Sequence, residues 1–150
     1  MPYRNWADTD TLNAADLNAM TADPDSLDVA TAETTASSSY GDLTTVGPTR
    51  TVQVVAGQTV LVVVSAQISS DTSGEEGFMT YAASGAATVA AADSNAANVR
   101  SASGNAWATS TRVSFVTATS AGTLTIASKY KRSAAGTARF ANRRLLVKKF

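Results

Sequence analysis

The densest set of oxygen ligands in the sequence is Asp71-Thr72-Ser73-Gly74-Glu75-Glu76, where three carboxylates and two hydroxyls surround a glycine. Such a loop could bind calcium, but its spacing matches no calcium-ligand pattern, and it reads instead as the solvated tip of a hairpin. Glu75, Glu76 and Asp93 could supply the paired carboxyls of a glycosidase. Adjacent residues on a strand face opposite ways, however, so Glu75 and Glu76 would not converge on one sugar. Lys129 and Lys131 flank Tyr130 and offer amine or phenol chemistry, yet no glycine-rich phosphate cradle, nucleophile elbow or dinucleotide fingerprint accompanies them. Edge protection and ion pairing are the expected uses of those lysines. The sequence contains no Cys and no His, which removes disulfides, thiol nucleophiles, imidazole bases and thiolate zinc sites. No catalytic, cofactor-binding or metal-binding residue is assigned, and the chain is expected not to be an enzyme and to need no cofactor.

Trp107 follows Ser103-Gly104-Asn105-Ala106 at the start of an expected strand. It is expected to cap an apolar core, the alternative being that it projects from its loop and stacks on a glycan. Of the 150 residues, 67 are Ala, Thr or Ser, a bias that favours closely packed sheets over a large aromatic-lined pocket. Charge sums to zero but is unevenly placed. Residues 1–42 hold eight of the twelve acids against one base, Arg4, and residues 129–150 hold eight of the twelve bases and no acid. A nucleic-acid surface normally shows a net excess of Lys and Arg, so the two ends are expected to meet each other, within one chain or between copies. The N-terminus has no basic and apolar leader pattern, and the longest apolar run, Val60–Val64, is too short for a bilayer. Neither a nucleic-acid nor a membrane partner is expected.

Two regions differ in character. Residues 1–27 read as an arm, with Thr11 or Asn13 capping about two turns of helix that carry Leu12, Leu17 and Met20. Tyr3 and Trp6 lie ahead of it in a segment too short to bury them in a core of its own, so they dock either on the body or on another subunit. Residues 28–150 read as one all-β domain. Gly, Ser, Asn and Asp clusters separate expected strands near 28–36, 49–55, 58–69, 76–83, 86–91, 96–102, 106–118, 121–132 and 136–149. The Leu124, Ile126 and Tyr130 positions of the eighth alternate with hydroxyls and lysines, giving one buried and one wet face. The Thr59–Ser65 run does not alternate, so both of its faces should be covered, one by a neighbouring chain. Val60, Val62 and Val64, with Arg143 and Arg144 near the C-terminus, are the expected subunit interface. Nine short antiparallel strands are arranged most economically as a jelly-roll sandwich.

The arm Trp6-Ala7-Asp8-Thr9-Asp10-Thr11-Leu12-Asn13-Ala14-Ala15-Asp16-Leu17-Asn18 resembles the opening of small virion proteins of tailed, actinobacterial-type bacteriophages, with Asn13 where that pattern usually has Thr. Ser39-Tyr40-Gly41-Asp42-Leu43, Val46-Gly47-Pro48, the Val-rich strand through Ser69, Ala121 to Tyr130 and Gly136 to Leu145 are similar to the C1q and tumour-necrosis-factor-like jelly rolls. The resemblance implies a homotrimeric capsid decoration protein that is made in the bacterial cytoplasm and resides on the capsid surface. There Tyr3, Trp6, Leu12 and Leu17 would dock on the major capsid protein. A tail-fibre or tail-tip knob that binds host-surface glycan through Trp107 is the alternative.

Overall fold

The computed structural model describes residues 26–150, which form two antiparallel sheets. The strands are β1 (Ser26–Val29), β2 (Glu33–Thr35), β3 (Thr49–Val54), β4 (Thr59–Ser70), β5 (Glu76–Gly85), β6 (Ala97–Arg100), β7 (Ala108–Thr117), β8 (Gly122–Arg132) and β9 (Ala138–Lys149), with a single 3-10 turn at Asp93–Asn95. One sheet has the order β1-β9-β4-β7, with β2 also paired to β9, and the other has the order β3-β8-β5-β6. The arm and its expected helix, with Tyr3, Trp6, Leu12 and Leu17, lie outside the described residues.

Seven of the expected strands appear with ends within two residues of the pattern-based boundaries, because the Gly, Ser and Asp clusters are where the chain turns. Two expectations are corrected. The run 28–36 is two strands: β1 pairs with Arg143–Leu146 and β2 with Ala138–Phe140. The interval between them faces Ala141 and Asn142, where β9 slips register against β4 and Asn142 takes a left-handed φ of 48°. An extra residue accommodated in one strand leaves its partner without a matching ladder position, so the partner breaks. The run 86–91 is not a strand. β5 ends at Gly85, whose φ is 89° and whose missing Cβ would lie 2.1 Å from the Thr123 carbonyl oxygen. There the chain leaves the ladder, Ala86 N–H donates to the Thr123 carbonyl, and only the isolated bridge Ala83–Val89 remains.

The core lies between the sheets. Val60, Val62, Val64 and Ile68 enter it from β4, Met79 and Tyr81 from β5, Leu124, Ile126 and Tyr130 from β8, and Phe140, Leu145 and Val147 from β9. Tyr130 meets Phe140 edge-on, ring centroids 5.1 Å apart, the offset geometry that aromatic quadrupoles favour.

Arg143 is the largest fully buried side chain, with none of its surface exposed. It extends from β9 beneath the segment 36–48, donating from Nη1 to the Thr45 carbonyl (3.2 Å) and from Nη2 to the Thr31 carbonyl (3.4 Å), with its guanidinium 5.4 Å from the Tyr130 ring centre. The same segment is tied to β8 by reciprocal backbone bonds between Gly41 and Tyr130 and by the Lys129–Asp42 ion pair at 2.8 Å. A Cβ on Gly47 would fall 2.4 Å from the Tyr130 hydroxyl, so only glycine lets the segment pass. Arg143→Ala removes this buried post and strands two carbonyls. We predict a loss of about 3 kcal/mol in denaturant unfolding, with the largest local rise in amide exchange over residues 36–48.

Candidate functional site

Alternation decides which residues of the central strands are available to a partner. In the β9–β4–β7 ladder, Val147, Val62 and Ser114 form one row and Leu145, Val64 and Arg112 another, with Val62, Val64, Leu145 and Val147 all facing the core. The intervening rows, Leu146–Val63–Val113 and Lys148–Leu61–Phe115, face outward. The expected interface of Val60, Val62 and Val64 is therefore corrected. These three are 0–1% exposed and belong to the core of a single chain. Arg143 is corrected with them, because its guanidinium is enclosed by the segment 36–48.

The outward rows instead create an apolar face. Val113 is 53% exposed, Phe115 64% and Phe150 60%, with Leu61, Val63 and Leu146 half-buried beside them. Phe115 and Phe150 lie 6.4 Å apart, their rings tilted by 46°. Two hydrogen bonds place Phe150 there: its backbone N–H donates to the Thr59 carbonyl, and the Phe150 carbonyl accepts from Gln58 Nε2. The patch reaches β7, a ten-residue strand at the end of its sheet. Among the described residues no further strand pairs with β7, and contiguous apolar surface beside such an edge is the kind of place where another surface packs. The signal in the sequence was the phase of Val113 and Phe115, which alternate with Arg112 and Ser114. In the Val60–Val64 run the same phase is hidden, because every residue is apolar.

Arg144 faces outward at the border of this patch and holds Asp28 in a bidentate pair, Nε–Oδ1 2.6 Å and Nη2–Oδ2 3.0 Å. The guanidinium keeps the Asp28 carboxyl below the usual carboxylate range. With Lys129–Asp42, this pair shows N-terminal acids meeting C-terminal bases within one chain, as the charge pattern predicted. Lys131, beside Lys129 in sequence, pairs with Asp93 at 2.6 Å while lying over the rings of Tyr40 and Phe78. Tyr40 donates its hydroxyl to Asp93 (2.8 Å), and burial, followed by this hydrogen bond and then the Asp93 charge, pushes that phenol upward in pKa.

Trp107 does not cap the core. It is 45% exposed, on a loop braced by the Asn105 N–H donating to the Ser70 carbonyl (2.7 Å) and by Ser73 Oγ donating to the Ala102 carbonyl (2.9 Å).

The 71–76 loop does more than solvate a tip, because its acids clamp the β8–β9 turn. Glu75 accepts from the Ser133 hydroxyl, from Ala134 N–H (2.9 Å) and from Ala135 N–H (3.1 Å), and Asp71 accepts from Thr137 N–H (2.8 Å). These donors, the Ser133 hydroxyl first, hold Glu75 down to about 2 from its ordinary 4.5. Among the described residues, no group of three or more acids is arranged to hold a metal ion. No protein-family model matches the chain, and no curated protein matches it.

A carboxylate with a depressed folded-state pKa stabilises the fold above its unfolded pKa, and that stabilisation is lost as pH falls toward the folded value. Glu75 should therefore make unfolding pH-dependent between about 4.5 and about 2. Melting curves of the wild type and Glu75→Gln across that window should converge toward acid, with the variant less stable near neutral pH and less sensitive to the change.

Proposed function

We propose that the chain is a non-enzymatic structural protein that assembles with copies of itself, specifically a homotrimeric bacteriophage capsid decoration protein. The carrying observation is the outward apolar face of Leu61, Val63, Val113, Phe115, Leu146 and Phe150 on one sheet. A solvated monomer gains nothing from such a surface, whereas a neighbouring copy that buries it gains in proportion to the area removed from water. The strand orders β1-β9-β4-β7 and β3-β8-β5-β6 support the finer reading of a C1q and tumour-necrosis-factor-like jelly roll, since an eight-strand jelly roll interleaves two Greek keys over two sheets.

In this reading, the threefold body lies on the head surface and its three N-terminal arms dock on the major capsid protein through Tyr3, Trp6, Leu12 and Leu17. Three weak attachments on one rigid body become persistent by avidity, which stabilises the shell. Glu75 and Asp71 clamp a turn, while Asp28, Asp42 and Asp93 are engaged by cations.

A second reading is favoured by one observation, the braced and exposed Trp107. A rigid aromatic beside polar loops can stack on a sugar ring, so a tail-fibre or tail-tip knob binding host-surface glycan is the alternative.

Cryo-electron microscopy of the particle separates the two readings. Trimers over the head lattice support decoration. Density confined to the tail tip overturns it and directs attention to Trp107. At concentrations where the unaltered chain is trimeric, the V113E/F115E double variant should weaken self-association roughly a hundredfold by light scattering, with an unchanged circular dichroism spectrum. Loss of the fold itself, or retention of the trimer, would count against this face as the interface. Deletion of residues 1–25, which spares β1, should leave a trimer that no longer attaches to particles.

A further inference from the structure

The chain enters the fold beside its own apolar face. Ser26 pairs with Leu146, and the row continues through Val63 to Val113. β1 runs antiparallel to β9, so the N-terminal end of β1 points toward Lys148 and the row that contains Leu61 and Phe115. Twenty-five residues precede Ser26, carrying five acids (Asp8, Asp10, Asp16, Asp23 and Asp25) against Arg4, with Tyr3, Trp6, Leu12, Leu17 and Met20 among them. The face has complementary character. It is apolar at its centre, and the outward positions of β1, β9, β4 and β7 carry the cations Arg139, Arg144 and Lys148 against a single acid, Asp28. Asp28–Arg144 and Asp42–Lys129 already pair acids of the first 42 residues with bases of β9 and β8.

We propose that in the free chain this face is covered by the chain's own residues 1–25, which must be displaced before a second copy can pack there. The proposal rests on the reading of the face as the place where copies meet, and it names how that meeting is controlled. A tethered segment whose attachment point borders its target acts at an effective concentration in the millimolar range. A second copy in dilute solution therefore competes at a disadvantage, and its apparent affinity falls by the fraction of chains whose face is open. A partner that takes the arm frees the face, so docking and self-assembly become linked.

Site-specific photo-crosslinking in the full chain tests this. Phe115 is replaced by p-benzoylphenylalanine, equal amounts of 14N- and 15N-labelled chains are mixed at a dilution where light scattering shows single chains, and crosslinked peptides are identified by mass spectrometry after Asp-N digestion. The expected result is links from position 115 to peptides within residues 1–25 that carry one isotope only. Absence of links to residues 1–25, or arm links only between differently labelled chains, overturns the proposal. Links in one chain combined with single-chain mass at every concentration would retain the cover and remove the assembly reading. Trimeric mass at high concentration without arm links at dilution would do the reverse.

Discussion

The two-residue period of β4 and β9, paired side by side at the centre of one sheet, is the constraint on which the rest of the molecule depends. Val62 opposite Val147 and Val64 opposite Leu145 fill the core, and the intervening positions are thereby committed to the outside. A one-residue slip would exchange those faces, exposing the core set and burying Lys148. Turn residues at both ends and the long matched ladder with β7 hold the register. The outer apolar face is thus a by-product of the same pairing that builds the core.

Where the period is interrupted, the chain does something other than continue the ladder. Between Ser65 and Gln67 the register shifts against β9, Asn142 adopts a left-handed conformation, and its side-chain amide donates to Gln67 (2.9 Å). The adjacent Arg143 is driven inward beneath the segment 36–48. A buried guanidinium needs acceptors, and it finds them in the backbone carbonyls of Thr31 and Thr45 and in the face of Tyr130. A charged side chain in this place works as a post that fixes an irregular segment, a task an apolar residue would perform without direction.

Much of the architecture was legible because its signals are local. Gly57, Gly74 and Gly136 sit in turns with positive φ and Gly122 opens β8 at a φ of 139°, and the clean alternation of Leu124, Ile126 and Tyr130 placed β8 with its inner face correctly. What failed depended on facts that are not local. The Val60–Val64 run has no visible phase, so only its partners reveal which valines are inside. Ala86–Val89 has strand-like composition but follows a glycine pressed against the Thr123 carbonyl, a tertiary constraint. Trp107, one of only two tryptophans in the sequence, is expected in the core, whereas its loop is braced from beneath by Ser70 and Ser73, leaving the ring outside. The acids of residues 71–76 were visible as a cluster, but their donors are about sixty residues away.

The position of β9 also shapes how this fold is reached. Its partner β1 lies more than a hundred residues away, with 116 separating Asp28 from Arg144, and β2 and β4 wait for the same strand. Until β9 arrives, β4 has only β7 beside it, and its valine-rich sequence has an open flank. Chains dominated by such distant pairings close large loops before contacts repay the entropy, so they fold in milliseconds to seconds rather than microseconds. During that interval, β4 is the segment most exposed to pairing with the wrong chain. The strand that completes the sheet is therefore also its protection, and misassembly in a crowded cell is set by how quickly β9 finds β4.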